Sequence, residues 1–431
     1  MGKRFLGLFI ALAVILCAGC GREESDEQTA GETADIIENT TDSGSMSDNS
    51  LNMILDTVGR PMSSIFSTND GCYMYAYNFE HNGCNMFYVD YKTRKRVYLS
   101  PSVNGEYWLE TDTSFFPDSG CIEFFVHDGA LYTSVGSSTW TLYKMDLNGQ
   151  NRKELYRHNG DGYIDVSSYI AADQEFLYFL AYYDYGTGEI STKLCALDKD
   201  TGGEIQVVYE FEGAGVSAEG FFDRKLVWSE GRLCDDLETY EYKLGILDID
   251  TGEISELMTW KDNEHSFIEN IGDKSLWYYF DLKGGTVVCY DLRTQKETVV
   301  LDTVPFVWRG DRYSKVWGET DGDYLKIQYD EDYIVNLKTK EVKKNPNTLK
   351  GEGGQLASHA LYPAGASKDE FLVEVKENEY ELISEPAPGF SGRQTICYYD
   401  YAMIKKEDYY NNRPNYMMIE DMQVREGTPF S

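Results

Sequence analysis

Leu142-Tyr143-Lys144-Met145-Asp146-Leu147-Asn148-Gly149-Gln150, running on to Leu155, reads as a short strand, a tight polar turn and a second strand. The same pattern returns along the chain. It appears as Phe87-Tyr88-Val89-Asp90 before Lys92-Thr93, and as Leu194-Cys195-Ala196-Leu197-Asp198 before Asp200-Thr201-Gly202. It recurs as Leu244-Gly245-Ile246-Leu247-Asp248 before Asp250-Thr251-Gly252, and as Val288-Cys289-Tyr290-Asp291 before Arg293-Thr294. Tyr333-Ile334-Val335-Asn336 before Lys338-Thr339 is a weaker copy. From Asp90 to Asn336 the anchors lie roughly 43 to 56 residues apart, the length of one four-stranded propeller blade. The expected fold is therefore all-β, a single β-propeller of four-stranded blades. Seven blades is the count, with six or eight as alternatives.

Composition agrees with strands. The 431 residues include 34 Tyr, 20 Phe and 7 Trp, and aromatic side chains suit a pleated, half-buried surface. The formal charge is −34, from 73 acidic and 39 basic residues. A surface this acidic repels phosphate backbones, which argues against nucleic acid as a partner. A closed ring hides its strand edges without a second chain, so a monomer is expected.

The N-terminus carries an address. Lys3-Arg4 precede an apolar run from Phe5 to Leu16, too short to span a bilayer and of the right length for the core of a signal peptide. The run ends in Cys17-Ala18-Gly19-Cys20, which resembles the lipobox of bacterial lipoproteins, with Cys17 where that family usually has Leu. The resemblance implies cleavage after residue 19, lipidation of Cys20, and a membrane-anchored protein facing the extracellular or periplasmic side. Residues 21 to about 50 hold nine acids and one base with almost nothing apolar, so 20–50 read as a disordered, self-repelling tether. Residues 51–422 are assigned to the propeller and 423–431 to a C-terminal tail. The seventh blade has two candidates for its last strand. One is Asn415 to Ile419; the other is Leu51 to Asp56, with which the two termini would close the ring together.

Seven cysteines follow Cys20, at 72, 84, 121, 195, 234, 289 and 397. An odd count at irregular spacing is no disulfide framework, and no Cys/His pairing has zinc spacing. Cys195 and Cys289 read as core filler, and a Cys72–Cys84 bridge across one hairpin stays open. The Asp-x-Asp-Thr-Gly-Glu turn at Asp248 to Glu253 looks like a calcium loop but lacks the further oxygen ligands and the Glu twelve positions along. Turn chemistry explains it: Asp bonds its own backbone and Gly supplies positive φ. No metal site is expected.

The Leu-Tyr-x-x-Asp-x-x-Thr/Asn-Gly turns resemble the TolB-like and quinoprotein-type propeller repeats over most of residues 62 to 404. The resemblance implies the fold and leaves the function open; the hallmark quinone-binding residues of quinoproteins have no placement in this sequence, so no cofactor carries over. The segment from Ala402-Met403-Ile404-Lys405-Lys406 to Tyr416 resembles the ends of lipoproteins of anaerobic Gram-positive bacteria, which implies a cell-surface location and no activity.

No nucleophile elbow, HExxH or phosphate-binding Gly-Lys-Ser/Thr loop is present, and the five His, at 81, 127, 158, 265 and 359, are scattered along the chain. No catalytic residue is assigned. If the Asp turns join third to fourth strands they share one face of the ring. The second-to-third loops and the inter-blade connections then share the other. There the candidate ligand-binding residues are Tyr107 and Trp108, Tyr183 and Tyr185, Asp235, Asp236 and Tyr240, and Phe390 and Arg393. Their rings and polar tips suit a sugar or a peptide. The expected function is a non-catalytic, lipid-anchored module binding a carbohydrate, a peptide or an envelope protein. The alternatives are an extracytoplasmic hydrolase or lyase working in the funnel, and a structural or sensory subunit of an envelope complex.

Overall fold

The computed structural model describes residues 50–54 and, with short gaps, residues 64–421. The signal segment, Cys20, the tether before Ser50 and the C-terminal tail lie outside the described residues. Seven antiparallel four-stranded units follow one another among the described residues, so the expected β-propeller is the observed fold. Blade one comprises Ile65–Ser67, Gly71–Asn78, Gly83–Asp90 and Lys95–Tyr98. Blade two comprises Cys121–His127, Ala130–Gly136, Thr141–Asp146 and Lys153–Arg157. Blade three comprises Tyr163–Ala172, Phe176–Asp184, Ile190–Asp198 and Gln206–Phe211. Blade four comprises Val216–Phe222, Lys225–Leu233, Tyr240–Asp248 and Ile254–Lys261. Blade five comprises His265–Asn270, Leu276–Asp281, Thr286–Asp291 and Lys296–Leu301. Blade six comprises Trp317–Asp321, Tyr324–Gln328, Asp332–Asn336 and Val342–Lys344. Blade seven comprises Pro363–Ala366, Glu370–Ile383, Arg393–Lys405 and Met417–Met418.

Each repeated Asp sits at the third-to-fourth strand turn, and in blades one, three, four and five its carboxylate accepts from its own backbone, whereas Asp146 of blade two accepts from Asn151 Nδ2 at 2.6 Å. Asp198 Oδ1 accepts from the N–H groups of Asp200 and Thr201 at 2.9 and 2.7 Å. Asp248 Oδ1 accepts from those of Asp250 and Thr251 and from the Thr251 hydroxyl. Asp291 and Asn336 repeat the arrangement. The residue after Thr then takes positive φ: Gly202 and Gly252 at 71°, Gln295 at 56° and Lys340 at 62°. This is a capped turn, as its composition suggests.

Apolar clusters fill the seams between blades. Tyr73 and Phe124 join blades one and two, Trp140 and Phe179 join two and three, and Phe280 and Leu325 join five and six. The last seam closes the ring. Leu372 and Met403 of blade seven pack on Cys72, Met74, Phe87 and Val89 of blade one. The Ala366 N–H also donates to Ser67 Oγ at 3.1 Å. The chain end then adds Glu420–Asp421 in parallel to Lys95–Arg96 of blade one. A five-residue helix, Lys406–Tyr410, buries Tyr409 and Tyr410 at the seam of blades six and seven, where Tyr410 donates to Asp321 at 2.6 Å.

Two expectations are settled by register. Met417–Met418 supplies the last strand of blade seven, so the alternative from Leu51 to Asp56 fails. Asn52–Ile54 instead pairs antiparallel with Ile170 to Ala172, on the inner edge of blade three. The Cys72–Cys84 bridge also fails. Cys72 pairs with Val89 and Cys84 with Tyr77, and the two side chains are buried in different clusters. Cys195 is fully buried and free, as core filler should be, and burial pushes its thiol up to about 11.

Candidate functional site

With the Asp turns on one face, here the turn face, the second-to-third loops and blade connections form the opposite, mouth face. Innermost strands run from mouth to turn face, so position along them measures depth in the central channel. The nominated loop residues that are described lie on the mouth face but do not form one patch. Tyr107 is half-buried and stacks on Tyr98 at 4.1 Å, while its carbonyl accepts from Asn85 Nδ2; it caps blade one. Tyr183 packs in the seam of blades two and three, its hydroxyl 3.9 Å from Cys195 Sγ. Tyr185 stacks on Tyr183 and is 41% exposed. Tyr240, 39% exposed, stacks on Tyr242, which stacks on Trp260. Asp235 is exposed. Trp108, Asp236 and Phe390 lie outside the described residues, as does the Arg393 side chain.

The channel adds residues that loop reasoning passed over. Glu123 stands on the innermost strand of blade two, Asp165 on that of blade three and Glu219 on that of blade four. Glu269 and Glu319 continue the series on blades five and six. Glu219, Glu269 and Glu319 are each fifty residues apart, a period visible in the sequence once blades are aligned by their first strands.

The carboxyls differ in depth and in partners. Burial, then the Asp165 charge, pushes the Glu123 carboxyl up to about 7, opposed by a hydrogen bond with Ser134. Burial also raises Asp165, although the Val166 N–H donates to its Oδ1 at 2.9 Å. Tyr182 pairs with Asp165 across the ladder, and burial pushes its phenol up to about 12. Glu219 Oε1 accepts from Ser229 Oγ at 2.5 Å.

Four residues deeper on blade three, Tyr169 donates to buried Glu269. Lys274 Nζ meets Glu269 Oε1 at 3.1 Å and lies 4.8 Å above the Tyr169 ring. Its stem crosses Gly220, where a Cβ would come within 2.7 Å of Lys274 Cγ. Buried Glu319 pairs with buried Lys326. The deep acids are thus neutralised by lysines of their own blades, whereas no ion pair joins Glu123 or Asp165 to a cation among the described residues. Tyr163, 49% exposed, and Trp317, 37% exposed, begin innermost strands and stand at the channel mouth. No group of three or more His, Cys, Asp or Glu among the described residues is placed to hold a metal ion.

No family model matches the chain, and no curated protein matches it. Solved structures share the propeller fold at low identity. The oligogalacturonate lyase in complex with manganese is 14% identical over 75% of this chain and 87% of its own, at a TM-score of 0.43. TolB from Acinetobacter baumannii is 12% identical over 80% and 76%, at 0.35. The β-propeller domain of the Trilobed protease from Pyrococcus furiosus is 10% identical over 85% and 99%, at 0.48.

Proposed function

We propose that the protein is an extracytoplasmic binding propeller, anchored through lipidated Cys20, that takes its ligand at the mouth of the central channel. The observation behind this reading is the Glu123–Asp165 pair. Two carboxyls from adjacent blades feel one another's charge, no ion pair joins either to a cation among the described residues, and exposed Tyr163 stands two residues before Asp165 on the same strand. A positively charged group such as an amine or guanidinium on a peptide would pair with both. It would also lower the Glu123 carboxyl toward its ordinary value, and Tyr163 or Trp317 would offer a ring face to the same charge. The test is a peptide and glycan array probed with the mature protein. Hits should be rich in Lys or Arg, and Glu123→Gln or Asp165→Asn should weaken them about tenfold or more, the worth of one charge-assisted contact. Neutral ligands indifferent to both substitutions would refute the site.

A second reading, a hydrolase or lyase on carbohydrate or peptide, draws on the same carboxyl. An acid that titrates near 7 is suited to donating a proton at neutral pH. Turnover of a polymer, lost in Glu123→Gln and falling with pH above 7, would favour it over simple binding. Labelling by a radioactive fatty acid, abolished in Cys20→Ala, tests the anchor.

A further inference from the structure

The strand Asn52–Ile54 lies within the ring. It places Asn52 opposite Ala172, Met53 opposite Ala171 and Ile54 opposite Ile170, so blade three becomes a five-stranded sheet with its extra strand at the axis. Leu51 and Met53 pack into the cluster between blades three and four, while Ile54 packs into the cluster of blades one to three. The Phe221 N–H of blade four points at Met53 Sδ, 3.3 Å away. The segment therefore fills the turn-face end of the channel, the end at which Tyr163–Ala172 terminates.

Room for it comes from small side chains. Ala171, Ala172 and Ala218 are all buried, and in the place of Ala172 blade four carries Phe221 and blade two Val126. The inner edge beside Ala171 and Ala172 is otherwise a row of peptide groups with no ladder partner, and a strand edge of that kind accepts any extended segment of matching side chains.

We infer that this edge is a strand-accepting site, filled by the chain's own residues 51–54, and that the segment is an exchangeable plug of the central channel. Three ladder positions hold it. The burial of three apolar side chains is set against fixing four residues of chain, terms of similar size. The side chains of Leu51, Met53 and Ile54 determine the fit, and the backbone ladder supplies the rest. The inference is independent of the ligand proposed above, and its test uses none.

Hydrogen exchange on the intact protein decides it. Amides of Met53 and Ile54 should exchange at least tenfold faster than those of Leu177 to Leu180 in the next strand but one. A large excess of a synthetic peptide Ser-Leu-Asn-Met-Ile-Leu-Asp, matching residues 50–56, should accelerate them further while Ile170 to Ala172 stay protected. The same peptide with Pro in place of Met should do nothing. A full chain with Met53→Pro should bind the fluorescent parent peptide at least tenfold more tightly than the wild type does. Exchange of Met53 and Ile54 only at the rate of Leu177 to Leu180 would overturn the inference. So would a saturating peptide that fails to change exchange at residues 52–54.

Discussion

Glycine at two equivalent turn positions separates backbone strain from crowding. Gly202 and Gly252 both follow Thr in an Asp turn at φ 71°, yet a Cβ on Gly202 would lie 2.1 Å from the Leu155 carbonyl and one on Gly252 would touch nothing. Gly252→Ala should therefore cost only the left-handed conformation, about 1–2 kcal/mol, and Gly202→Ala clearly more, measured by urea unfolding. Glu123 makes a second prediction. Its folded-state carboxyl sits near 7 against an ordinary 4.5, so the proton binds more tightly in the folded protein. The stability it contributes is complete below about pH 4.5 and is lost as pH rises through 7. Glu123→Gln should therefore stabilise the protein at pH 8 by about 1–3 kcal/mol and flatten its pH dependence between 4.5 and 7. An unchanged slope in that window would show that Glu123 is solvated like a surface acid.

Strands were legible wherever a turn announced them. The turn residues placed the third and fourth strands of six blades, as Asp-x-x-Thr in four, Asn336-x-x-Thr339 in blade six and Asp146-Leu147-Asn148-Gly149 in blade two, because such turns leave the chain little choice of path. First strands were harder to read. Their acids looked like solvated charge in a sequence with 73 of them, and only burial distinguishes Glu269 and Glu319. Here pairing across an element gives a testable contrast. Lys326→Met should leave Glu319 buried without its cation and cost about 3–5 kcal/mol, whereas Lys326→Met with Glu319→Leu should recover most of that loss. Equal losses in the single and double variants, read from chemical denaturation, would mean that the pair is not coupled.

At the scale of the ring, closure rests on the chain end. Met417–Met418 completes blade seven, and Glu420–Asp421 crosses to blade one. Truncation after Asn415 should loosen the seam lined by Leu372, Met403 and Val89. The melting temperature should fall by roughly 5–10 °C, about the shift expected for a few kcal/mol in a chain this long, and amides of Lys95–Tyr98 should lose protection. Melting unchanged by the truncation would place closure in the apolar seam alone.

The sequence by itself determined the all-β class, the four-stranded repeat and the face on which the Asp turns lie. Those follow from contacts between residues a few positions apart, where a turn residue and an alternating strand leave their pattern in the chain. Tertiary structure alone decided the rest: that Asn52–Ile54 enters the axis instead of completing blade seven, that Cys72 and Cys84 face different clusters, and that Tyr107 is a cap. It also decided which of many acids meet at the channel. Those outcomes depend on groups brought together from blades tens to hundreds of residues apart, and burial changes the chemistry of a carboxyl only after the ring has closed around it.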